Sequence, residues 1–263
     1  MTLLSIENLS KRFYSGGRDV PALKDVSLTI AAGETLGLAG ASGSGKSTLA
    51  RILTRLISTD AGAIRFDGED WLALSGSKLR HRRAKMQMVF QDVLGAFNPR
   101  ATVASVLDDP LRIHGIVPNA ERPREIAALL DRVGLPTTYA ARSIREVSGG
   151  QRQRIAIARA IATHPSLIVL DEAVSALDVS IRGRILELLV ELQEERDIAY
   201  LFVSHDLAVL RAVSHRIAVM DAGRLVETGT ARQVIEDPQS SAAKKLIAAV
   251  PHLVTGIPEG HDS

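Results

Sequence analysis

The stretch "TLGLAGASGSGKSTLARIL" (residues 35–53) decides the fold. Its first six residues are an apolar run typical of a buried strand, and Leu49, Ile52 and Leu53 follow at helical spacing. Between them, "GASGSGKS" (residues 40–47) fits the pattern of a phosphate loop, with a strand before it and a helix after it. The stretch therefore predicts an α/β protein that holds phosphate groups where this helix begins.

Each residue type in this phosphate loop suits a nucleotide and Mg²⁺. Successive backbone N–H groups and the positive end of the helix attract phosphate oxygens. We expect Lys46 to reach the β- and γ-phosphates and the Ser47 hydroxyl to bind Mg²⁺. The predicted nucleotide-binding residues of this stretch are Gly40, Ala41, Ser42, Gly43, Ser44, Gly45, Lys46, Ser47 and Thr48.

Two carboxylates follow the apolar run "SLIVL" (residues 166–170). Phosphoryl transfer needs a second metal ligand and a group that orients water, both at the end of a buried strand beside the phosphate loop. We predict that Asp171 holds Mg²⁺ through water and that Glu172 is the general base. This pair favours hydrolysis of the nucleotide over its simple storage.

A second anion-binding segment, "VSGGQ" (residues 147–151), opens a helix of apolar period. Ser148 is a candidate N-cap, and Gly149 and Gly150 let the backbone approach an anion closely. The segment has no lysine and no magnesium ligand, so we predict that it is half of a binding site.

The remaining apolar pattern predicts the layers around these motifs. Alternation at Leu3, Ile6 and Leu9, and again from Val26 to Ile30, indicates antiparallel strands. Further along, buried strands alternate with amphipathic helices, which builds a parallel sheet covered on both faces. The predicted strands are 86–90, 166–170, 199–203 and 216–220, with helices near 181–195 and 206–213 and a closing hairpin at 221–229.

Between residues 91 and 146 the alternation of strands and helices stops, and the segments near 102–114 and 121–133 have a helical period. We therefore predict an α/β core, with a mainly parallel sheet and an antiparallel β subdomain, into which an α-helical subdomain is inserted at about residues 92–150. The predicted domain spans residues 1–235, with one more helix at 231–236, and a short C-terminal extension spans 236–263.

These motifs, in this order over about residues 3–229, resemble those of the ATP-binding cassette (ABC) ATPases, a branch of the P-loop NTPases. "VSGGQ" is similar to the family's LSGGQ signature, which closes over the γ-phosphate held by another cassette. The resemblance implies ATP and Mg²⁺ as cofactors and two cassettes arranged head to tail. It adds Ser148, Gly149, Gly150 and Gln151 to the predicted nucleotide-binding residues.

The resemblance also implies roles for single residues elsewhere. Gln91 matches the Q-loop, which binds Mg²⁺ or the attacking water, and Asp178 of "SALD" matches the D-loop, which crosses the dimer interface. His205 of "VSHDL" matches the switch histidine, which contacts the γ-phosphate. Phe13 matches the aromatic residue that stacks on adenine, with Tyr14 as the alternative. The implied catalytic residues are Glu172, His205 and Gln91, and the implied metal ligands are Ser47, Gln91 and Asp171.

Composition limits the partners. Lys and Arg total 32 against 30 for Asp and Glu, a net charge of +2, so we expect no nucleic-acid partner. The absence of Cys excludes disulfides and thiolate-held zinc or iron–sulfur clusters. The first residues lack the apolar stretch of a signal peptide, and no apolar run approaches about 18 residues. We therefore expect a cytoplasmic protein that can lie against a membrane protein.

Three segments resemble ATPases of dipeptide, oligopeptide and nickel importers. "MVFQDVLGAFNPR" (residues 88–100) is similar to their FQD…NPR stretch, and "LDEAVSALD" (170–178) to the same group. "EDPQSSAAKKLIAAVP" (236–251) resembles their C-terminal element, although residues 239–242 replace its HPYT core. The resemblance implies uptake of a peptide, nickel or a related small solute.

The same resemblance implies a peripheral assembly on the cytoplasmic face of the inner or plasma membrane. Its expected members are a sister ATPase, with an identical second chain as the alternative, and two permease subunits, whose cytoplasmic helices enter a groove near residues 91–106. An external solute-binding protein takes part indirectly.

The dense basic run "KLRHRRAK" (residues 78–85) is predicted to be a solvated helix face, and we assign it no function. Two other functions stay open at this point: a non-transport cassette that acts as a nucleotide-driven clamp, and the ATPase of an exporter.

Overall fold

The computed structural model describes residues 1–15, 18–175 and 177–249. The strand of the opening stretch, β3 (Thr35–Gly40), is buried at every position because it lies inside a sheet covered on both faces. The other strands of this sheet are β6 (Met86–Val89), β7 (Leu167–Asp171), β8 (Ala199–Val203), β9 (Arg216–Asp221) and β10 (Arg224–Thr230). Their order is β10-β9-β3-β8-β7-β6, with every pair parallel except β9 and β10. The predicted parallel sheet and closing hairpin are confirmed.

Alternation along the central strands divides the core into two layers. Leu167 and Val169 of β7 face one side, whereas Ile168 and Leu170 face the other. The first side packs on α1 (Lys46–Leu53) and a second sheet, and the other on α5 (Gly149–Ile161), α6 (Val179–Arg196) and α7 (Leu207–Val213). Because parallel strands end at one edge, the segments that follow β3, β7 and β8 meet there.

The second sheet is antiparallel, as the first residues of the chain predict. It consists of β1 (Thr2–Ser15), β2 (Arg18–Ala31), β4 (Ala61–Phe66) and β5 (Glu69–Asp70), in the order β2-β1-β4-β5. Sequence reasoning missed β4 and β5. Trp71, directly after β5, attaches these two strands to α1. Its buried indole Nε1 donates a hydrogen bond of 2.7 Å to the Leu53 carbonyl at the end of that helix. Residues 16 and 17, between β1 and β2, lie outside the described residues.

A group of helices separates β6 from β7. It contains α3 (Val103–His114), α4 (Arg122–Arg132) and two short 3₁₀ turns (Asn119–Glu121 and Thr137–Ala141), and it continues into α5. The Thr102 hydroxyl accepts a hydrogen bond from the Ser105 backbone N–H (3.2 Å) and so begins α3. These helices lie where the helical period predicts them. The boundaries of an inserted subdomain at about 92–150 and of an extension at 236–263 stay predictions.

Three further helices complete the described chain. The basic run falls mainly on α2 (Gly76–Arg83), which has no fully buried residue. After β10 come α8 (Ala231–Glu236), as predicted, and α9 (Ser241–Ala248). Glu227 of β10 holds the start of α9 by accepting hydrogen bonds from the backbone N–H groups of Gln239 (2.9 Å) and Ser240 (2.8 Å). No helix within residues 1–15, 18–175 and 177–249 combines the length and apolar character needed to cross a bilayer.

Candidate nucleotide site

The phosphate loop is held by glycines at positions where a side chain would not fit. Gly40 has a φ of 154° and Gly45 a φ of 107°. A Cβ on Gly40 would lie 2.5 Å from the Met220 carbonyl oxygen, and one on Gly45 would lie 2.6 Å from the Ala22 carbonyl oxygen. A Cβ on Gly43 would have no described atom within 4 Å. The loop is therefore packed against the protein on one side and open on the other, where an anion can approach.

Lys46 begins α1 and turns its ammonium group into this loop. Its Nζ donates hydrogen bonds of 2.8 Å to the carbonyl oxygens of Gly40 and Ala41. Burial lowers the pKa of Lys46, while the charges of Glu172 and Asp171 oppose that shift. The ammonium group is thus poised at the loop's centre, where phosphate oxygens would replace the two carbonyls as acceptors. Ala41 and Ser42 are exposed beside it, Ser44 is buried and Thr48 is half-buried.

Ser47 and Asp171 are two of the three predicted metal ligands, and the structure brings this metal pair into direct contact. Gln91, the third predicted ligand, lines the same cavity. The Ser47 hydroxyl donates a hydrogen bond of 2.9 Å to Asp171 Oδ1. Burial raises the pKa of Asp171, whereas the Ser47 hydrogen bond and the charge of Arg51 lower it. A hydroxyl and a carboxylate are hard oxygen donors, and Mg²⁺ in nucleotide sites takes few protein ligands and keeps waters. This donor set therefore fits Mg²⁺ bound together with a nucleotide.

Glu172 lies at the centre of the predicted catalytic set. Gln91 Nε2 donates a hydrogen bond of 3.1 Å to Glu172 Oε2, and His205 Nδ1 lies 3.3 Å from the same oxygen. The Glu172 backbone is in the left-handed region, with a φ of 49°, a strain on the order of 1–3 kcal/mol. Its N–H is satisfied by the Val203 carbonyl at 3.0 Å. The strained turn directs the carboxylate away from the end of β7 toward Gln91 and His205.

The signature (residues 147–151) begins α5 with a complete capping box. The Ser148 hydroxyl accepts from the Gln151 backbone N–H (3.3 Å), and the Gln151 side chain accepts from the Ser148 backbone N–H (2.8 Å). The two glycines differ in their surroundings. A Cβ on Gly150 would lie 2.7 Å from Ile181 Cγ2, whereas one on Gly149 would meet no described atom within 4 Å. Gly150 is needed for packing against α6, and Gly149 leaves the helix start open.

The signature and the phosphate loop are separate within this chain. Across the described residues no hydrogen bond joins residues 147–151 to residues 40–47, and Ser148 and Gly149 are exposed. The chain therefore has two candidate anion-binding helix starts, one with lysine and carboxylates and one without.

The other predicted residues lie at the surface. Asp178 is exposed at the start of α6, where its side chain makes no capping hydrogen bond. Its neighbour Ala176 lies outside the described residues. Phe13 and Tyr14, near the end of β1, are 39% and 82% exposed, and Lys11 Nζ lies 5.6 Å from the centre of the Phe13 ring. Both aromatic rings stay candidates for stacking on adenine.

Sequence reasoning missed several side chains that support the site. Gln151 Nε2 donates a hydrogen bond of 2.9 Å to the Tyr139 hydroxyl, and Arg182 pairs with Asp206 at 2.8 Å. The position of Asp206, directly after the predicted switch histidine, was a signal for that carboxylate. No local pattern marks Arg182, because its carboxylate partner comes from a distant loop.

This fold and this site define a class: an α/β nucleotide-binding cassette with a phosphate loop at a sheet edge and a second, open helix start on a helical segment. A model of the ABC transporter family matches residues 23–175, more than half of the chain. The chain therefore belongs to the ABC transporter family.

Relatives and solved structures agree with this assignment. Over 256 residues the chain is 49% identical to the glutathione import ATP-binding protein GsiA of Escherichia coli strain K12, and 48% identical to GsiA of Shigella flexneri. The match covers 95% of this chain and 41% of each relative, so the chain spans about two fifths of their length.

Two solved structures share the fold. The dimeric post-hydrolysis structure of the ATP-binding cassette MJ0796 bound to ADP and Pi has a TM-score of 0.80 at 31% identity, covering 87% of this chain and 99% of that one. The structure of cbiO1 from Clostridium perfringens, part of the ABC transporter complex cbiONQ, has a TM-score of 0.78 at 26% identity, covering 90% and 91%. The predicted P-loop NTPase fold is confirmed.

Proposed function

We propose that this chain hydrolyses ATP as one subunit of an importer and so powers uptake of a small solute through partner permeases. The observation that carries the proposal is the division of the site. Lys46, Ser47 and Asp171 lie beside Glu172 at one sheet edge. The signature stands apart with Ser148 and Gly149 exposed. Such a chain needs a second cassette to complete each ATP site.

The side chains divide the reaction among them. Lys46 binds the β- and γ-phosphates, and Ser47 and Asp171 hold Mg²⁺. When bound, Mg²⁺ neutralises charge on the phosphate oxygens. Glu172 accepts a proton from the attacking water, with Gln91 and His205 orienting its carboxylate at 3.1 and 3.3 Å. The start of α5, where Ser148 and Gly149 are exposed, receives the γ-phosphate held by the other cassette.

The second cassette is a sister ATPase or another copy of this chain. Support comes from the dimeric MJ0796 cassette, whose fold this chain shares over nearly its whole length. Exposed Val179 (83%) next to Asp178 gives the expected interface an apolar contact. The resemblance to importers with two different ATPases favours a hetero-pair.

A groove beside the Q-loop is the proposed seat of the permease. It has a volume of about 350 Å³ and an apolar floor that includes Met88, Val93 and Phe97. Its ionisable lining residues are Arg80, Arg83, His114 and Arg159, and the lining contains no Asp or Glu. Arg159 is half-buried and lies over the Phe97 ring, with its guanidinium carbon 5.7 Å from the ring centre. An amphipathic permease helix with carboxylates beside its apolar face would match this groove in shape and charge.

Direction and cargo rest on the relatives. GsiA is named for glutathione import, and the residues around Gln91 resemble peptide and nickel importers, so we propose import of a peptide-like solute or nickel. The chain would then lie on the cytoplasmic face of the inner membrane, and an external solute-binding protein would deliver the cargo. No nucleic acid takes part.

Substitution of Glu172 by Gln tests the proposal. The variant keeps the shape of the side chain but cannot accept the proton, so we expect ATP to hold two cassettes together while hydrolysis falls by at least about 100-fold. Phosphate release and light scattering measure the two effects. Glu191→Gln on the exposed face of α6 is the matched control and should behave as wild type. Hydrolysis by E172Q at the wild-type rate would refute the assigned role, and full-speed hydrolysis by a strictly monomeric wild-type chain would refute the paired site.

A further inference from the structure

Arg182 connects two loops of the site that belong to separate sequence motifs, the D-loop and the loop that contains His205. It lies in the first turn of α6 and is half-buried, with 24% of its side chain exposed. Its Nη1 donates a hydrogen bond of 2.8 Å to Asp206 Oδ2, and its Nη2 donates one of 3.3 Å to the Leu177 carbonyl. One guanidinium group therefore holds both the loop after β8 and Leu177 of the D-loop.

The Asp206 end of this connection controls where His205 lies. Asp206 directly follows His205, and its other carboxylate oxygen caps α7 by accepting from the backbone N–H groups of Ala208 (2.9 Å) and Val209 (3.3 Å). Both carboxylate oxygens are thus engaged, one by the helix and one by Arg182. A shift of Arg182 would move Asp206 and the imidazole next to it.

The D-loop end leads back to Glu172. Ser175 Oγ donates a hydrogen bond of 2.9 Å to the Glu172 carbonyl, and the Glu172 carboxylate meets His205 at 3.3 Å. The contacts therefore close a ring: Glu172, the D-loop, Arg182, Asp206, His205 and again Glu172. Within this ring Arg182 is the side chain that crosses from the D-loop to the loop after β8.

We infer that Arg182 is a positioning residue that makes the placement of His205 beside Glu172 depend on the D-loop, and hence on the arrival of the second cassette. The inference rests on the proposed function, which places Asp178 of the D-loop at the interface between cassettes. A guanidinium group is a rigid planar fork, so its two hydrogen bonds move together. Displacement of the Leu177 carbonyl by the partner then shifts Asp206 in the same step.

This role differs from that of a simple structural anchor. If Arg182 were only an anchor, its substitution would lower thermal stability and leave the dependence of the rate on ATP concentration unchanged. If Arg182 is a positioning residue, its substitution lowers kcat and removes cooperativity. Each isolated chain still binds nucleotide normally, because Lys46 and Ser47 do not touch Arg182.

The test uses the full chain with Arg182→Gln and a matched control, Arg184→Gln, which removes an exposed arginine two residues further along the same helix. We expect R182Q to lower kcat about tenfold and to reduce the Hill coefficient for ATP from near 2 to near 1. Binding of a fluorescent ATP analogue should stay within about twofold of wild type. Arg182→Lys should keep the charge pair with Asp206 but not reach both acceptors, so we expect its Hill coefficient to stay low.

A second variant keeps the test decisive if R182Q folds poorly. Asp206→Asn preserves the cap of α7, since Asn is a good N-cap residue, but removes the charge that Arg182 binds. We expect the same loss of kcat and cooperativity in D206N, and no further loss in the double variant. Wild-type hydrolysis with R182Q and D206N both matching R184Q would refute the inference and leave the proposed function standing. A wild-type chain without ATP hydrolysis would overturn the proposed function, and the inference with it.

Discussion

Addition of a single methyl group to Gly149 separates the roles of the two signature glycines. A Cβ at this position meets no described atom within 4 Å, so Gly149→Ala should leave the chain folded. Ala is a better helix former than Gly by about 0.5–1 kcal/mol in a helix interior and by less at the first position, so we expect stability to hold or rise slightly. In the assembled pair, the same methyl group would project into the partner's nucleotide.

The expected loss of activity follows from geometry. A helical Cα–Cβ bond tilts toward the start of the helix, which here is the side that faces the proposed γ-phosphate. A backbone N–H holds an oxygen at about 2.9 Å, whereas a methyl carbon needs about 3.5 Å or more. Loss of a preorganised donor at a developing anion costs about 100- to 1,000-fold in kcat. We therefore expect G149A to hydrolyse ATP at least about 100-fold more slowly, equivalent to ~2.7 kcal/mol.

The control is Gly183→Ala, which adds the same methyl group on α6, again with no described atom within 4 Å. Phosphate release at saturating ATP measures activity, and thermal denaturation measures stability. We expect G183A to raise the midpoint of thermal denaturation by roughly 2–4 °C and to hydrolyse ATP at the wild-type rate. Equal hydrolysis by G149A and G183A would show that no second cassette closes over Gly149, and the paired site would be wrong.

Two further predictions concern the metal pair and the permease groove. Asp171→Asn should raise the thermal midpoint at pH 7 but abolish Mg²⁺-dependent hydrolysis, because the amide still accepts from Ser47 while the buried charge is gone. Burial raises the pKa of Asp171, so its charge destabilises the folded wild-type chain at pH values above the pKa of the unfolded carboxyl. The stability gained by D171N should therefore disappear as the pH falls to about 4, where the wild-type carboxyl is protonated in both states. A gain in stability that does not change with pH would contradict this. Arg83→Glu should weaken co-purification with the permeases while basal hydrolysis stays unchanged, whereas Lys78→Glu, the same charge change outside the groove, should not. Equal recovery with both variants would argue against an acidic docking helix.

Much of the fold followed from local patterns. The phosphate loop is contiguous, so Gly40 and Gly45 could be placed before any tertiary contact was known. Only the structure showed that Met220 and Ala22 lie too close to them for a side chain. The strands of the parallel sheet are buried on both faces, and their apolar runs stand out for that reason. β4 and β5 were missed because most of their residues are exposed and give no such run.

The contacts among the predicted catalytic residues join segments that are far apart in the chain, so no local pattern predicts them. Gln91 and Glu172 are 81 residues apart in the chain, yet their side chains meet at 3.1 Å. Residue types and family resemblance predicted that both belong to the site. Their hydrogen bond exists because β6, β7 and β8 lie side by side and end at one edge of the sheet.

The sequence was sufficient to name the candidate residues within each motif, since each motif is a short run whose chemistry depends on neighbouring residues. The fold was needed to show that Gly149 is open while Gly150 is packed against Ile181, and that Arg182 joins the D-loop to Asp206. Such facts depend on which distant elements pack together, and packing is settled by strand order and helix placement rather than by any local run of residues.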